Sequence, residues 1–206
     1  MSSRTAEAGP AERAQVVLAG LDDEQRSAAQ AVQGPVCILA GAGTGKTRTI
    51  THRIAYGVHT GVFVPEQVLA VTFTARAAGE LRTRLAGLGV GGVQARTFHA
   101  AAMRQLRYFA PRVLDGPMPG LVENKLRLVA SAASRHRLTT DRTSLRDLAS
   151  EIEWAKTTLA TPEDYPIRAQ AAGREPPFEA AAVAAVYAGY ESAKQRDGVL
   201  DFEDLL

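Results

Sequence analysis

The sequence predicts an α/β protein, a parallel sheet with an all-helical subdomain inserted into it. Three observations carry this. The glycine-rich stretch Ala40-Gly41-Ala42-Gly43-Thr44-Gly45-Lys46-Thr47 lies between an apolar run, Val36-Cys37-Ile38-Leu39, and a helix-like segment. Strand-like and helix-like segments then alternate to residue 109, the pattern of a parallel sheet with right-handed crossovers. From Gly120 to Gly198 no strand pattern of any strength appears, and the helical signals there are rich in alanine.

The elements follow in order. Residues 1–20 read as a loose leader with a short helical tendency over 11–19. Asp22-Asp23-Glu24-Gln25 opens a helix to about Val32, with Asp22 as its cap and Gln25 three residues on in a variant capping box. A strand over 36–40, the glycine loop, and a helix over 46–60 come next. Val68-Leu69-Ala70-Val71-Thr72-Phe73 is a β-rich apolar run suited to a buried strand. The helix expected over 75–85 places Ala78, Leu81 and Leu85 at helical spacing, and Gly87, Gly89, Gly91 and Gly92 break it. Residues 93–97 read as a short strand and 98–109 as an amphipathic helix. Pro111, Gly116, Pro117, Pro119 and Gly120 mark a connection. Helices are expected over 121–136, 144–157 and 178–195, punctuated by Pro162, Pro166, Pro176 and Pro177. The last residues, 199–206, begin another element.

Composition bounds the function. A length of 206 residues fits one or two domains. The formal net charge of +2 is too small to argue for a nucleic-acid partner, but its distribution says more. Between Val68 and Arg112 the charged residues are Arg76, Arg82, Arg84, Arg96, Arg104, Arg107 and Arg112 against Glu80 alone. This is either the footprint of a phosphate-backbone partner or a solvated helix face. Cys37 is the single cysteine, which excludes an intrachain disulfide and a cysteine-based zinc site; in a strand it reads as a small buried hydrophobe. His52, His59, His99 and His136 show no paired metal-ligand spacing. No apolar segment approaches the roughly 18–20 residues that span a bilayer, and the first residues lack a signal-peptide core. The expectation is a cytoplasmic protein with no membrane partner.

The loop carries the chemistry. Its glycines allow a tight turn and aim successive N–H groups at phosphate oxygens, where a Cβ would obstruct. The helix N-terminus behind it adds unsatisfied donors and partial positive charge. Lys46 is placed to reach the β- and γ-phosphates and Thr47 to offer its hydroxyl to Mg²⁺. Ala40 stands where the general pattern has glycine, which requires a negative φ there. The reading is a nucleotide site, for ATP or GTP.

The order of these motifs resembles the N-terminal part of superfamily-1 DNA helicases of the UvrD/Rep/PcrA type. Leu21-Asp22-Asp23-Glu24-Gln25-Arg26 looks like their Q motif, and the initial Ala40 of the loop is normal for that family. Val71-Thr72-Phe73-Thr74-Ala75-Arg76-Ala77-Ala78 resembles the motif usually read TFTNKAA, with Ala75 and Arg76 for Asn and Lys. Arg76 keeps the charge in a planar fork rather than a point-like ammonium. Thr97-Phe98-His99-Ala100 resembles TFHS, and Leu200-Asp201-Phe202-Glu203-Asp204-Leu205-Leu206 the DF-x-DLL segment that follows the helical 1B subdomain.

The resemblance implies a P-loop NTPase of the RecA-like kind. It divides the chain into a leader over 1–20, the first part of the ATP-binding domain 1A over 21–112, a helical 1B subdomain over 113–198, and a return to 1A over 199–206. It implies ATP and Mg²⁺ as cofactors. Lys46 and Thr47 would be catalytic, and the nucleotide would be held by Gln25, Ala40, Gly41, Ala42, Gly43, Thr44, Gly45, Lys46, Thr47 and Arg48. Gln25 would read adenine through its amide, although a capping role is the competing reading. Single-stranded or tailed duplex DNA would be contacted by Thr72, Phe73, Arg76, Thr97 and His99, with Phe73 stacking on a base. Core or capping roles compete for Phe73 and His99.

An acidic pair after an apolar strand, which such an ATPase needs, is not found; Asp201, Glu203 and Asp204 stand in a helix-like context. The resemblance puts that pair, and a second motor domain, beyond Leu206. The implied parent is an ATP-driven 3′-to-5′ helicase of DNA repair or replication, and this piece alone is expected to be inactive. Two alternatives stay open: a subunit of a helicase–nuclease, and a non-catalytic nucleotide-binding module.

Overall fold

Two strands, β1 (Leu69–Thr72) and β2 (Gln94–Thr97), pair in parallel, with Leu69 opposite Gln94 and Thr72 opposite Thr97. The computed structural model describes residues 9–41, 43–114 and 116–205. Their contacts divide the chain into two units, Met1–Ala101 and Ala102–Leu206. The division falls inside the helix that follows β2, earlier than the boundary at 112/113 expected from the sequence.

In the first unit the parallel pair needs a crossover, and α4 (Ala75–Gly87) supplies it. Thr74 caps this helix by accepting a hydrogen bond from the Ala77 N–H at 3.1 Å. Its Ala78, Leu81 and Leu85 are buried, and the chain leaves the helix at the glycines beyond Leu85. Before the strands come α1 (Pro10–Leu18), α2 (Asp23–Gln30) and α3 (Lys46–His59). Val17, Ile54, Ala70, Leu81, Leu85 and Ala95 share one core. Burial of each such aliphatic side chain larger than alanine contributes roughly 1.5–3 kcal/mol.

Two expectations change here. Residues 10–20, read as part of a loose leader, are anchored. Val17 is buried in that core, and its carbonyl meets the His52 ring Nδ1 at 2.5 Å. Residues 36–40, expected as a strand, form no ladder among the described residues. An apolar run becomes a strand only where a neighbour offers its N–H and C=O groups, and none is present for it. Leu39 is consequently 91% exposed, and Cys37 is exposed rather than buried.

The second unit packs α6 (Lys125–Arg135), α7 (Arg142–Thr157), α8 (Tyr165–Ala171) and α9 (Ala180–Asp197) around Val129, Leu148, Ile152, Val183, Val186 and Tyr190. α7 opens with a reciprocal capping box between Asp141 and Ser144. α8 was not expected, because Pro166 reads as punctuation. It lies in the first turn, where its missing N–H leaves no helical bond unmade. A two-residue parallel pairing, β3 (Gly120–Leu121) with β4 (Val199–Leu200), also escaped the sequence reading.

Behind β4 the acidic segment is pinned by lysines. Asp201 is fully buried. Its Oδ2 accepts from Lys194 Nζ at 3.0 Å, Lys156 Nζ at 2.9 Å and the Tyr190 hydroxyl at 2.8 Å. Asp204 accepts from both lysines as well, at 2.5 Å from Lys194. Asp201 and Asp204 also take each other's backbone N–H groups, at 3.0 and 2.9 Å. Burial alone would raise the Asp201 carboxyl, but the hydrogen bonds from Lys156, Lys194 and Tyr190 reverse this and hold it well below the usual carboxylate range. Glu203 pairs with Lys125 at 2.6 Å. Glu191, Asp201 and Asp204 converge as a cation site would, but the ammonium groups of Lys156 and Lys194 already pair with all three.

Candidate functional site

The glycine loop turns into α3 at Gly45, which has φ 85° and ψ 21° and caps the helix without a side-chain hydrogen bond. The first N–H groups of α3 therefore have no side-chain acceptor from the cap, which is the condition for receiving an anion. A side chain at Gly45 would meet two obstacles. Its φ is left-handed, and a Cβ there would lie 2.9 Å from Gln25 Nε2. Gly43 is left-handed as well, at φ 79°. Ala40 does not have a positive φ, as its methyl group requires.

Lys46 bends back over the loop. Its Nζ donates to the carbonyl oxygens of Ala40 at 2.9 Å and Gly41 at 2.5 Å. Thr47 is exposed in the first turn of α3, and among the described residues its hydroxyl makes no hydrogen bond. The Thr44 hydroxyl closes the loop onto the Gly41 carbonyl at 2.8 Å.

Gln25 makes a contact that neither of its two competing readings anticipated. Its backbone N–H is capped by Asp22 Oδ1 at 2.7 Å, but its side chain does not return to the cap. The amide Nε2 donates instead to the Thr44 carbonyl at 3.2 Å, joining α2 to the loop. Among the described residues the amide oxygen makes no hydrogen bond. Arg48 donates to the Gly20 carbonyl at 2.9 Å, which ties α3 to the segment before α2. A cleft of about 930 Å³ runs beside these groups, lined by Asp22, Gln25, Ile38, Ala40, Gly41 and Thr44 among others. Ala42 lies outside the described residues.

The second set of residues gathers at the carboxyl ends of β1 and β2. The parallel register sets Thr72 beside Thr97, so the next residues, Phe73 and Phe98, are neighbours too. Their rings are 5.1 Å apart at the centroids and tilted by 48°. Phe73 is 87% exposed, so it is no core phenylalanine. Phe98 opens α5 (Phe98–Val113); the sequence reading placed it in the Thr97-Phe98-His99-Ala100 motif and at a helix start, but did not pair it with Phe73. The signal was available: Thr-Phe recurs at 72–73 and 97–98, each time at a strand end before a helix. The Thr97 hydroxyl accepts from the Ala100 N–H at 3.2 Å and so caps α5. His99 is half-buried in the first turn, and Arg76 is exposed in the first turn of α4.

These features define a mixed α/β protein with a glycine loop opening a helix and an exposed aromatic pair at adjacent strand ends. The chain belongs to the UvrD/REP helicase family: the description of the UvrD/REP helicase N-terminal domain matches residues 21–206. It is 58% identical over 201 residues to the ATP-dependent DNA helicase UvrD2 of Mycobacterium tuberculosis, a match covering 92% of this chain and 29% of that protein. It is 36% identical over 200 residues to the ATP-dependent DNA helicase PcrA of Leuconostoc citreum, covering 91% of this chain and 25% of the relative. PcrA of Bacillus subtilis is 31% identical over 195 residues, covering 92% and 26%. The chain thus spans under a third of the length of these relatives. Among the described residues no helix is long and apolar enough to cross a membrane.

Proposed function

We propose that this chain supplies the nucleotide loop and part of the single-stranded DNA surface of an ATP-driven 3′-to-5′ DNA helicase. Residues 21–112 are assigned to its RecA-like domain 1A and 113–198 to its helical subdomain 1B. The observation that carries the reading is the hydrogen bond that joins Gln25 to the loop at the Thr44 carbonyl. A residue type suited to adenine is held against the backbone suited to phosphate. ATP use by the named relatives supports the same choice over GTP, and their naming as DNA helicases favours this reading over a helicase–nuclease.

The loop's chemistry fits Mg-ATP. Gly43 and Gly45 keep Cβ atoms out of the cradle, and the first N–H groups of α3, without a side-chain cap, suit an anion. Lys46 would leave the Ala40 and Gly41 carbonyls for the β- and γ-phosphates, and the free Thr47 hydroxyl would ligate Mg²⁺. The bound nucleotide supplies the energy of its terminal phosphoryl bond. Phe73, with Phe98 beside it, would stack on unpaired bases, while Thr72, Thr97, Arg76 and His99 position the phosphates without reading sequence. No turnover is expected of this chain alone. Among the described residues, the carboxylates nearest to an acidic-pair motif, Asp201 and Asp204, are committed to lysines.

Titration of a fluorescent ATP analogue with Mg²⁺ into the chain and into Lys46→Ala tests the loop. Binding lost with the lysine is expected; equal binding by both would overturn the assignment. Polarity is tested on a longer protein carrying this chain, with 3′- and 5′-tailed duplexes. Unwinding from 5′ tails alone would refute it.

A further inference from the structure

We propose that the outer face of α5 is a second contact for single-stranded DNA, separate from the strand-end pair Phe73 and Phe98. It rests on the reading of the chain as a binder of single-stranded DNA. The stripe Arg104, Tyr108, Arg112 recurs every fourth residue, so these side chains stack along one side of the helix. Arg107 and Phe109 flank it, and all five are exposed. Tyr108 is 61% and Phe109 52% exposed, unusual for two adjacent aromatic rings.

The chemistry of the face commits it to one occupant. The helix carries no acidic residue, and among the described residues none of the three arginines lies within 4.0 Å of a carboxylate. Three uncompensated guanidinium groups suit a phosphate backbone. Between them the Tyr108 and Phe109 rings meet edge to face, with centroids 5.0 Å apart, and the Arg112 guanidinium lies 4.2 Å over the Tyr108 ring. Aromatic faces interleaved with cations are the arrangement on which unpaired bases stack while their phosphates are neutralised. A duplex would offer the phosphates but no free base face, and a protein partner would leave the arginines without counter-charge unless it were acidic. None of the five α5 face residues belongs to the motifs that resemble the family's DNA contacts.

The test is fluorescence anisotropy of a labelled oligo-dT with the full chain, Tyr108→Ala/Phe109→Ala, Arg104→Ala/Arg107→Ala, and Phe73→Ala. Tyr108→Trp, read by emission, accompanies them so that a misfolded double variant does not decide the matter. The expected result is about ten-fold weaker binding for the aromatic pair. The arginine variant should lower the slope of log K against log salt by about 0.7 for each charge removed. The Tyr108→Trp emission should be quenched on saturation with oligo-dT. Unchanged emission at saturation, with binding lost in Phe73→Ala only, would overturn the α5 site and leave the strand-end site standing. No binding by the unaltered chain would overturn both. Quenching by duplex but not by oligo-dT, or self-association removed by the aromatic variant, would assign the face to another occupant.

Discussion

Phe73 and Phe98 stand side by side at the ends of two parallel strands because Thr72 and Thr97 are in register one residue earlier. Removal of the Phe73 ring should weaken oligo-dT binding by roughly 1–3 kcal/mol, the worth of one stacked base. At 87% exposure it contributes little to folding, so the thermal midpoint of Phe73→Ala should stay near that of the unaltered chain. Phe98→Ala removes the neighbour that orients Phe73 and should weaken binding less. Anisotropy together with thermal melts separates the two effects.

Gly45→Ala should damage the nucleotide site while Gly41→Ala should not. The first places an L side chain at φ 85°, costing roughly 1–2 kcal/mol, and drives a methyl group against Gln25 Nε2. At Gly41 a Cβ would make ordinary contact with Thr44 Cγ2 at 3.5 Å, and φ is not positive. Affinity for the fluorescent ATP analogue should fall at least about ten-fold in Gly45→Ala, with a circular dichroism spectrum unchanged.

Asp201→Asn should destabilise the helical unit by roughly 3–5 kcal/mol, because Lys156 and Lys194 would lose a buried counter-charge. Tyr190→Phe removes one neutral donor from a carboxylate that keeps two ammonium partners, and should cost about 1 kcal/mol. Urea unfolding of the two variants gives the ordering directly.

The same network fixes a pH window. The Asp201 carboxyl is held low in the folded chain, so its contribution is present above the unfolded value of about 3.9 and is lost as pH falls through the folded one. Burial would lower the Lys156 ammonium, but its hydrogen bonds to Asp204, Glu191 and Asp201 raise it overall. Its contribution is therefore complete below about 10.4 and lost only as pH rises through the folded value. The network should hold stability level between about pH 4 and 10. In Asp201→Asn the loss of stability below about pH 4 should be shallower. Urea midpoints across that range check both statements.

Much of this was legible in the sequence for local reasons. Asp22 does cap α2, and the spacing of Ala78, Leu81 and Leu85 does mark the buried face of α4. What was not legible depended on partners far along the chain. The apolar residues 36–39 read as a strand, but a ladder needs a second edge, which no local pattern announces. Asp201 read as one of three acidic residues in a helix-like tail; its counter-ions come from α7 and α9, and no spacing reveals them. Pro166 hid α8 because proline usually interrupts a helix interior, whereas in the first turn its missing N–H costs no helical bond.

Lys156, Lys194, Asp201 and Asp204 come from two helices and the segment after β4, yet they pack and hydrogen-bond as one object. Loss of either lysine leaves Asp201 and Asp204 to share one ammonium group, and loss of Asp201 leaves both ammonium groups on Asp204 and Glu191. Divergence at these positions must therefore proceed by matched exchanges rather than single steps. Relatives of this chain should keep all four residues or have replaced them together. The short acidic segment is in that sense inherited jointly with the two helical lysines that neutralise it.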